Sequence, residues 1–145
     1  MRLNLQSDYA LRMLMHLASS PDRLVTIGEV ADRFRISHNH LMKVAYLLGK
    51  EGLITTVRGR SGGLRLAGRA EKIRVGDVVR RMEGDIHIVE CFAAEPGGCV
   101  ISGACKLKGV MHEALNAFLN VLDRYTLADL VANPKLRALL NSEAA

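Results

Sequence analysis

No run of apolar residues in this 145-residue chain approaches the length of a transmembrane helix, which excludes a membrane-spanning helix. The opening Met1-Arg-Leu-Asn-Leu-Gln-Ser-Asp8 lacks the apolar block and cleavage site of a secretory signal. A cytoplasmic, reducing compartment is therefore expected, in which thiols stay free. No segment repeats internally and none is of low complexity. The length suits one domain, or one domain with an oligomerisation element. There is no nucleophile–base constellation, no phosphate loop ahead of a helix and no pair of carboxylates placed for acid–base work. An enzyme is not expected. Cysteine is scarce, at 3 residues, an odd number that cannot all pair within the chain.

What is present is unevenly placed. All 3 cysteines fall in Cys91-Phe-Ala-Ala-Glu-Pro-Gly-Gly-Cys99-Val-Ile-Ser-Gly-Ala-Cys105, separated by 7 and 5 residues. Pro96, Gly97, Gly98 and Gly103 break any regular helix there and let separated sulfurs converge. Three thiolates on such a loop suit a soft metal centre. Structural zinc sites use tighter gaps between paired ligands, so an iron–sulfur cluster is favoured. Zinc, or thiols that are redox-active or inert, are the other readings. Charge is equally uneven: residues 1–81 hold 15 Lys+Arg against 7 Asp+Glu, a balance of +8, whereas residues 82–145 hold 5 against 8, a balance of −3. A basic first half is what a nucleic-acid-binding face requires.

Taken in order, residues 8–19 read as a first helix, with Leu11, Leu14, Met15 and Ala18 as its apolar stripe and Ser7 or Asp8 as its cap. Thr26-Ile-Gly-Glu29 is a capping box opening a second helix. Ser37 caps a third, from His38 to Lys50, which buries Leu41, Val44, Ala45 and Leu48. His38, Asn39, His40, Lys43 and Tyr46 are left for its outer surface. Two helices joined by so short a turn describe a helix-turn-helix. Leu53–Val57 and Leu64–Leu66 flank Arg58-Gly-Arg-Ser-Gly-Gly63, a hairpin with a basic glycine-rich tip. Arg58 and Arg60 there can neutralise phosphates or enter a minor groove.

A further short helix is expected over residues 75–82, then an extended lead-in over 83–90. The longest periodic element runs from Lys106 to about Tyr125. Leu107, Met111, Leu115, Phe118 and Leu122 form one stripe, flanked by Val110, Ala114, Ala117 and Val121. That face is too wide for a small winged domain to cover, so it reads as a dimer interface, the alternative being an intramolecular lid. Thr126-Leu-Ala-Asp129 opens a last short helix that should stop before Asn133-Pro134, with a frayed tail from Asn141. The fold class expected is mostly α with a small β-hairpin wing. Residues 1–82 would form the winged helix-turn-helix DNA-binding domain, 83–105 the cluster-binding loop, and 106–145 the dimerisation and C-terminal helices.

From Met1 to about Leu140 the chain resembles the winged-helix iron–sulfur regulators of bacteria, the NsrR/IscR/RirA group. The likeness is carried by Ser7-Asp-Tyr-Ala-Leu-Arg12, Val57-Arg-Gly-Arg-Ser-Gly-Gly-Leu-Arg-Leu66, the three-cysteine loop and Leu122-Asp-Arg-Tyr-Thr-Leu-Ala-Asp-Leu130. His38-Asn-His-Leu-Met-Lys43 and residues 125–130 look most like the NsrR-like, nitric-oxide-sensing branch. The resemblance implies a homodimeric repressor of nitric-oxide-detoxification genes. Its cluster, [4Fe–4S] rather than [2Fe–2S], would be held by Cys91, Cys99 and Cys105, with Asp8 of the partner subunit as fourth ligand. The repressor would bind palindromic double-stranded operator DNA and release it when the cluster is nitrosylated.

On the residues alone Asp8 is an ordinary helix-start carboxylate, and Glu90, Glu95, His87 and His112 are nearby alternatives. IscR-like proteins use a histidine three residues after the last cysteine, where this chain has Lys108, so that pattern fails. Lys106 and Lys108 would favour thiolate at Cys105 and offset a cluster's negative charge. The rival on the same scaffold is a repressor responding to iron or iron–sulfur status, as in RirA-like proteins. A small electron carrier is the rival from another class, and the +8 half argues against it.

Overall fold

The structure, a computed structural model, describes residues 2–93 and 99–142. Helix α1 (Leu5–Ala18) opens the chain. Its cap is Asn4, whose side chain accepts from the Ser7 N–H at 2.7 Å, and not Ser7 or Asp8 as expected. Ser7 lies inside the helix, fully buried, and donates its hydroxyl to Glu83 Oε1 at 2.5 Å, while the Asn4 N–H donates to the same oxygen at 2.8 Å. The start is thus set by a local Asn cap one turn earlier than expected and is anchored further by the distant Glu83. The inner face is Ala10, Met13, Leu14 and Leu17; Leu11 and Met15 are only half-buried.

Helix α2 (Ile27–Phe34) starts at the Thr26/Glu29 capping box, with both reciprocal hydrogen bonds formed. Arg35 ends it in the left-handed region, at φ 54°, so that Ser37 can cap α3 (His38–Lys50). Strands β1 (Ile54–Val57) and β2 (Gly63–Leu66) pair antiparallel, with Ile54 opposite Leu66 and Val57 opposite Gly63. Val25 extends the pairing through an isolated bridge to Leu64. Helix α4 (Val75–Glu83) buries Val75, Val78, Val79 and Met82, the residues its periodicity selects. The stretch after it, expected to be an extended lead-in, is non-helical, with Val89 extended, and ends in a 3-10 turn at Glu90–Phe92.

Helix α5 (Lys106–Leu122) is the longest element and buries none of its residues. Met111, Leu115, Phe118 and Leu122 are half-covered by the same chain, whereas Leu107, Val110 and Val121 are exposed. Its end is tied to α4 by two hydrogen bonds from Arg80 to the Asp123 carboxylate, at 2.7 and 2.6 Å. Gly76 makes the approach possible, since a Cβ there would overlap Asp123 Oδ1. Helix α6 (Leu127–Leu130) follows its Thr126/Asp129 capping box and returns to the core, burying Leu127.

One element was not anticipated. The helix after Thr126 does stop before Asn133-Pro134, but it is not the last: Asn133 caps, and Pro134 begins, helix α7 (Pro134–Asn141), which takes in Asn141 where a frayed tail was expected. Proline lacks only an N–H that the first turn leaves unpaired anyway, so Asn-Pro serves equally as a start. Leu140 is buried, and Asn141 bonds to the Ser19 carbonyl at 2.9 Å and accepts from Ser20 Oγ at 2.5 Å. Residues 127–141 therefore pack back on the winged core.

Candidate nucleic-acid interface and cysteine site

The first turn of α3 projects its polar side chains because its apolar residues point the other way. Leu41, Val44, Ala45 and Leu48 are buried, which leaves His38, Asn39, His40 and Lys43 exposed. Ser37 Oγ accepts from the His40 N–H at 3.3 Å, fixing where those residues leave the turn. The Tyr9 ring of α1 sits 6.2 Å from that of His40, centroid to centroid. Met42 and Tyr46 add apolar surface to the outer side of α3, at 52% and 72% exposed. Met42 was not among the candidates, although its place one turn before Tyr46 was visible in the spacing.

The wing tip owes its shape to glycine at two positions. Gly59 has φ 111°, where a side chain is strained, and a Cβ on Gly62 would overlap the Val57 carbonyl oxygen. The Gly62 N–H donates to the Gly59 carbonyl at 3.0 Å and closes the tip. Arg58 and Arg60 are exposed on it, and Arg65, passed over in the sequence reading, is exposed on β2. No described carboxylate pairs with any of these three.

The three cysteines are all free. Cys91 lies in the 3-10 turn and is half-buried; Cys99 is exposed; Cys105 is half-buried at the cap position of α5, its side chain making no capping hydrogen bond. The Phe92 ring stacks on His112 of α5, centroids 3.8 Å apart and planes 21° from parallel, which fixes the chain next to Cys91 against that helix. Lys108 Nζ lies 3.5 Å from Ser102 Oγ, close to the loop. The Pro96, Gly97 and Gly98 turn and the alternative ligand Glu95 lie outside the described residues.

Among the described residues no three His, Cys, Asp or Glu side chains are gathered as a metal-binding group. The donor chemistry nonetheless fits a cluster: three thiols without disulfides, one at a helix N-terminus flanked by Lys106 and Lys108. Asp8, in the first turn of α1, pairs with Arg12 at 2.8 Å, both about two-fifths exposed (42% and 44%). Glu90 is exposed and His87 stands 3.9 Å from Asp85.

A family described as "Rrf2: Iron-dependent Transcriptional regulator" matches residues 3–133. The chain belongs to the Rrf2 family. Among Rrf2 relatives, an HTH-type transcriptional regulator NsrR of Shouchella clausii is 51% identical over 142 residues, 97% of this chain and 95% of the relative. The NsrR of Bacillus subtilis is 52% identical over 134 residues, 92% of each chain. Of solved structures, T. potens IscR aligns with TM-score 0.74 and 26% identity, covering 91% of this chain and 87% of its own. Oxidized Staphylococcus aureus CymR aligns with TM-score 0.74 and 28% identity, covering 92% and 98%. This Rrf2 protein is thus a helix-turn-helix transcriptional regulator and not an enzyme, and the resemblance read from its motifs holds. No helix among its described residues is long and apolar enough to cross a membrane.

Proposed function

We propose that the protein is a homodimeric repressor whose operator affinity depends on an iron–sulfur cluster and falls on reaction with nitric oxide. The observation that carries this reading is the identity of about half, over 97% of the chain, with a regulator named NsrR. The three free thiols support it. So does the uncovered face of α5, which a second copy of the same helix would bury.

Cys91, Cys99 and Cys105 would hold the cluster, [4Fe–4S] in preference to [2Fe–2S], with Asp8 of the partner subunit as a weaker oxygen donor. When bound, the cluster supplies iron that nitric oxide can attack. For Asp8 to serve, its pair with Arg12 must open; an exposed pair of this kind is worth only about 0–1 kcal/mol, so little resists that. A carboxylate is a harder match for iron than a thiolate, which makes this corner the labile one. Because Asp8 stands on α1, which packs on α3, its release can alter how the two recognition helices are spaced. Residues 1–82 would read a palindromic double-stranded site through His38, Asn39, His40 and Lys43, with Arg58 and Arg60 on flanking backbone or minor groove. Residues 83–105 would hold the cluster, and within 106–145 it is α5 that would form the dimer, residues 127–141 being packed on the winged core.

Iron and sulfide analysis of anaerobically purified Cys91→Ala, Cys99→Ala and Cys105→Ala proteins tests the ligand set. Each should lose the cluster while keeping its helical content; full loading in any one removes that cysteine from the set. The family description, iron-dependent, favours a second reading in which iron supply is the signal. Operator release by an iron chelator, without a response to nitric oxide, would select it.

A further inference from the structure

Helix α2 ends at a residue whose backbone conformation suits glycine. The N–H groups of Arg35 and Ile36 both donate to the Ala31 carbonyl, the second at 3.1 Å, and this closure sets Arg35 at φ 54° and ψ 44°. Among the described residues no other non-glycine has a positive φ. Glycine is the usual occupant of such a helix end, because a Cβ there crowds the neighbouring carbonyl. Arginine therefore stands where the fold alone would favour glycine.

No contact of the side chain within the fold offsets this. Ile36 beside it is 8% exposed and belongs to the core, while Arg35 is exposed. Arg12, Arg23, Arg80, Arg81 and Arg137 each hold an acceptor. The Arg35 guanidinium has no ion pair among the described residues, and exposed Asp32, three residues back, does not pair with it. Residues held in sparsely populated backbone regions cluster at functional sites.

Its place in the chain indicates which function. Ser37 caps α3 two residues later, and His38, Asn39 and His40 leave the first turn exposed. Two residues span at most about 7 Å, so Arg35 stays beside that end of α3. A helix end that enters a major groove roughly 12 Å wide brings the residues just ahead of it to the groove edge, where the phosphates run. A guanidinium matches phosphate oxygens there with parallel N–H bonds.

We propose that Arg35 holds a DNA phosphate at the edge of the groove that α3 enters, a contact additional to those of α3 and the wing. This rests on α3 being the helix presented to DNA. Such a contact carries no sequence information and fixes where the first turn of α3 stands over the bases.

The test measures binding of a random-sequence duplex to the full-length protein by fluorescence anisotropy over a series of salt concentrations, beside thermal melting of each free variant. Arg35→Gly should keep or raise the melting temperature, since it relieves the backbone. It should nevertheless weaken binding roughly tenfold, the loss of a charge-assisted hydrogen bond. The salt slope should fall by about 0.9 for each phosphate released. Arg35→Gln, which keeps the side chain on the same backbone without its charge, should lose the same affinity, and Arg35→Lys should restore part of it. Arg124→Gln, which removes an exposed charge beyond α5, should change neither affinity nor slope. Lys43→Ala reports separately on α3. Undiminished affinity and slope in Arg35→Gly, with Lys43→Ala weakened, would overturn the phosphate contact alone; no change in either would overturn the placement of α3 as well. An equal loss in Arg124→Gln would reduce the effect to net charge, and a lowered melting temperature in Arg35→Gly would show that the side chain serves the fold; either result would overturn the proposal.

Discussion

Arg58 and Arg60 sit on a tip whose backbone only glycine can make at Gly62, so their placement depends on a neighbour that has no side chain. Arg58→Ala and Arg60→Ala should weaken operator and random DNA alike and flatten the salt dependence, because phosphate contacts release counterions whatever the sequence. Asn39→Ala should instead cost mainly specificity, on the order of 1–3 kcal/mol for a good base contact. Titrating both DNAs at two salt concentrations separates the two behaviours; wing variants that bind as tightly as the parent would remove the tip from the interface. His16 adds a pH dependence. Its folded pKa is depressed, so burial of the neutral ring contributes stability above its ordinary value of 6.5. That contribution is lost progressively as pH falls below 6.5 toward the folded value, because there only the unfolded chain takes up the proton. Urea midpoints measured from pH 7.5 down to 5 should fall more steeply in the parent than in His16→Gln.

At the scale of elements, the sequence was most informative where a local hydrogen bond decides the outcome. The Thr26/Glu29 and Thr126/Asp129 boxes and the Ser37 cap could be read directly, because both partners lie within three residues. It was least informative where a distant group decides. The burial of Ser7 against Glu83 and the stacking of Phe92 on His112 each join residues far apart in the chain. Asn133-Pro134 is ambiguous by nature, since the same pair can follow one helix or begin the next, and only the burial of Leu140 settles it. The outer side chains of α3 were legible because its buried positions recur so regularly; the arrangement of the thiols was not, because no periodicity governs a loop. Asn133→Ala should lower thermal stability by about 1 kcal/mol, the usual worth of such a cap. No change in the melting temperature would mean that α7 contributes nothing to the cooperative unit.

For the whole molecule, α5 carries the consequence of size. A chain this small leaves one side of its longest helix without cover, and in the proposed dimer a second copy would supply it at the least cost in new sequence. If α5 forms the proposed dimer, Leu107→Asp with Val110→Asp should give a monomer by sedimentation and lower operator affinity, since two half-sites would no longer be held together. A dimer of unchanged stability would show that another surface makes the interface. The same assembly is what would bring Asp8 of the partner subunit to the cysteine loop. Asp8→Ala should therefore still load a cluster on three thiolates, yet bind operator more weakly or respond differently to nitric oxide.

The most direct measurement is operator binding by fluorescence anisotropy, under anaerobic conditions, with the cluster-loaded protein before and after stoichiometric nitric oxide. Affinity should fall at least roughly tenfold, about 1.4 kcal/mol, and Cys105→Ala should start from the weakened state and not respond. Operator affinity unchanged by nitric oxide, with Cys105→Ala binding as tightly as the loaded parent, would contradict a cluster-dependent repressor.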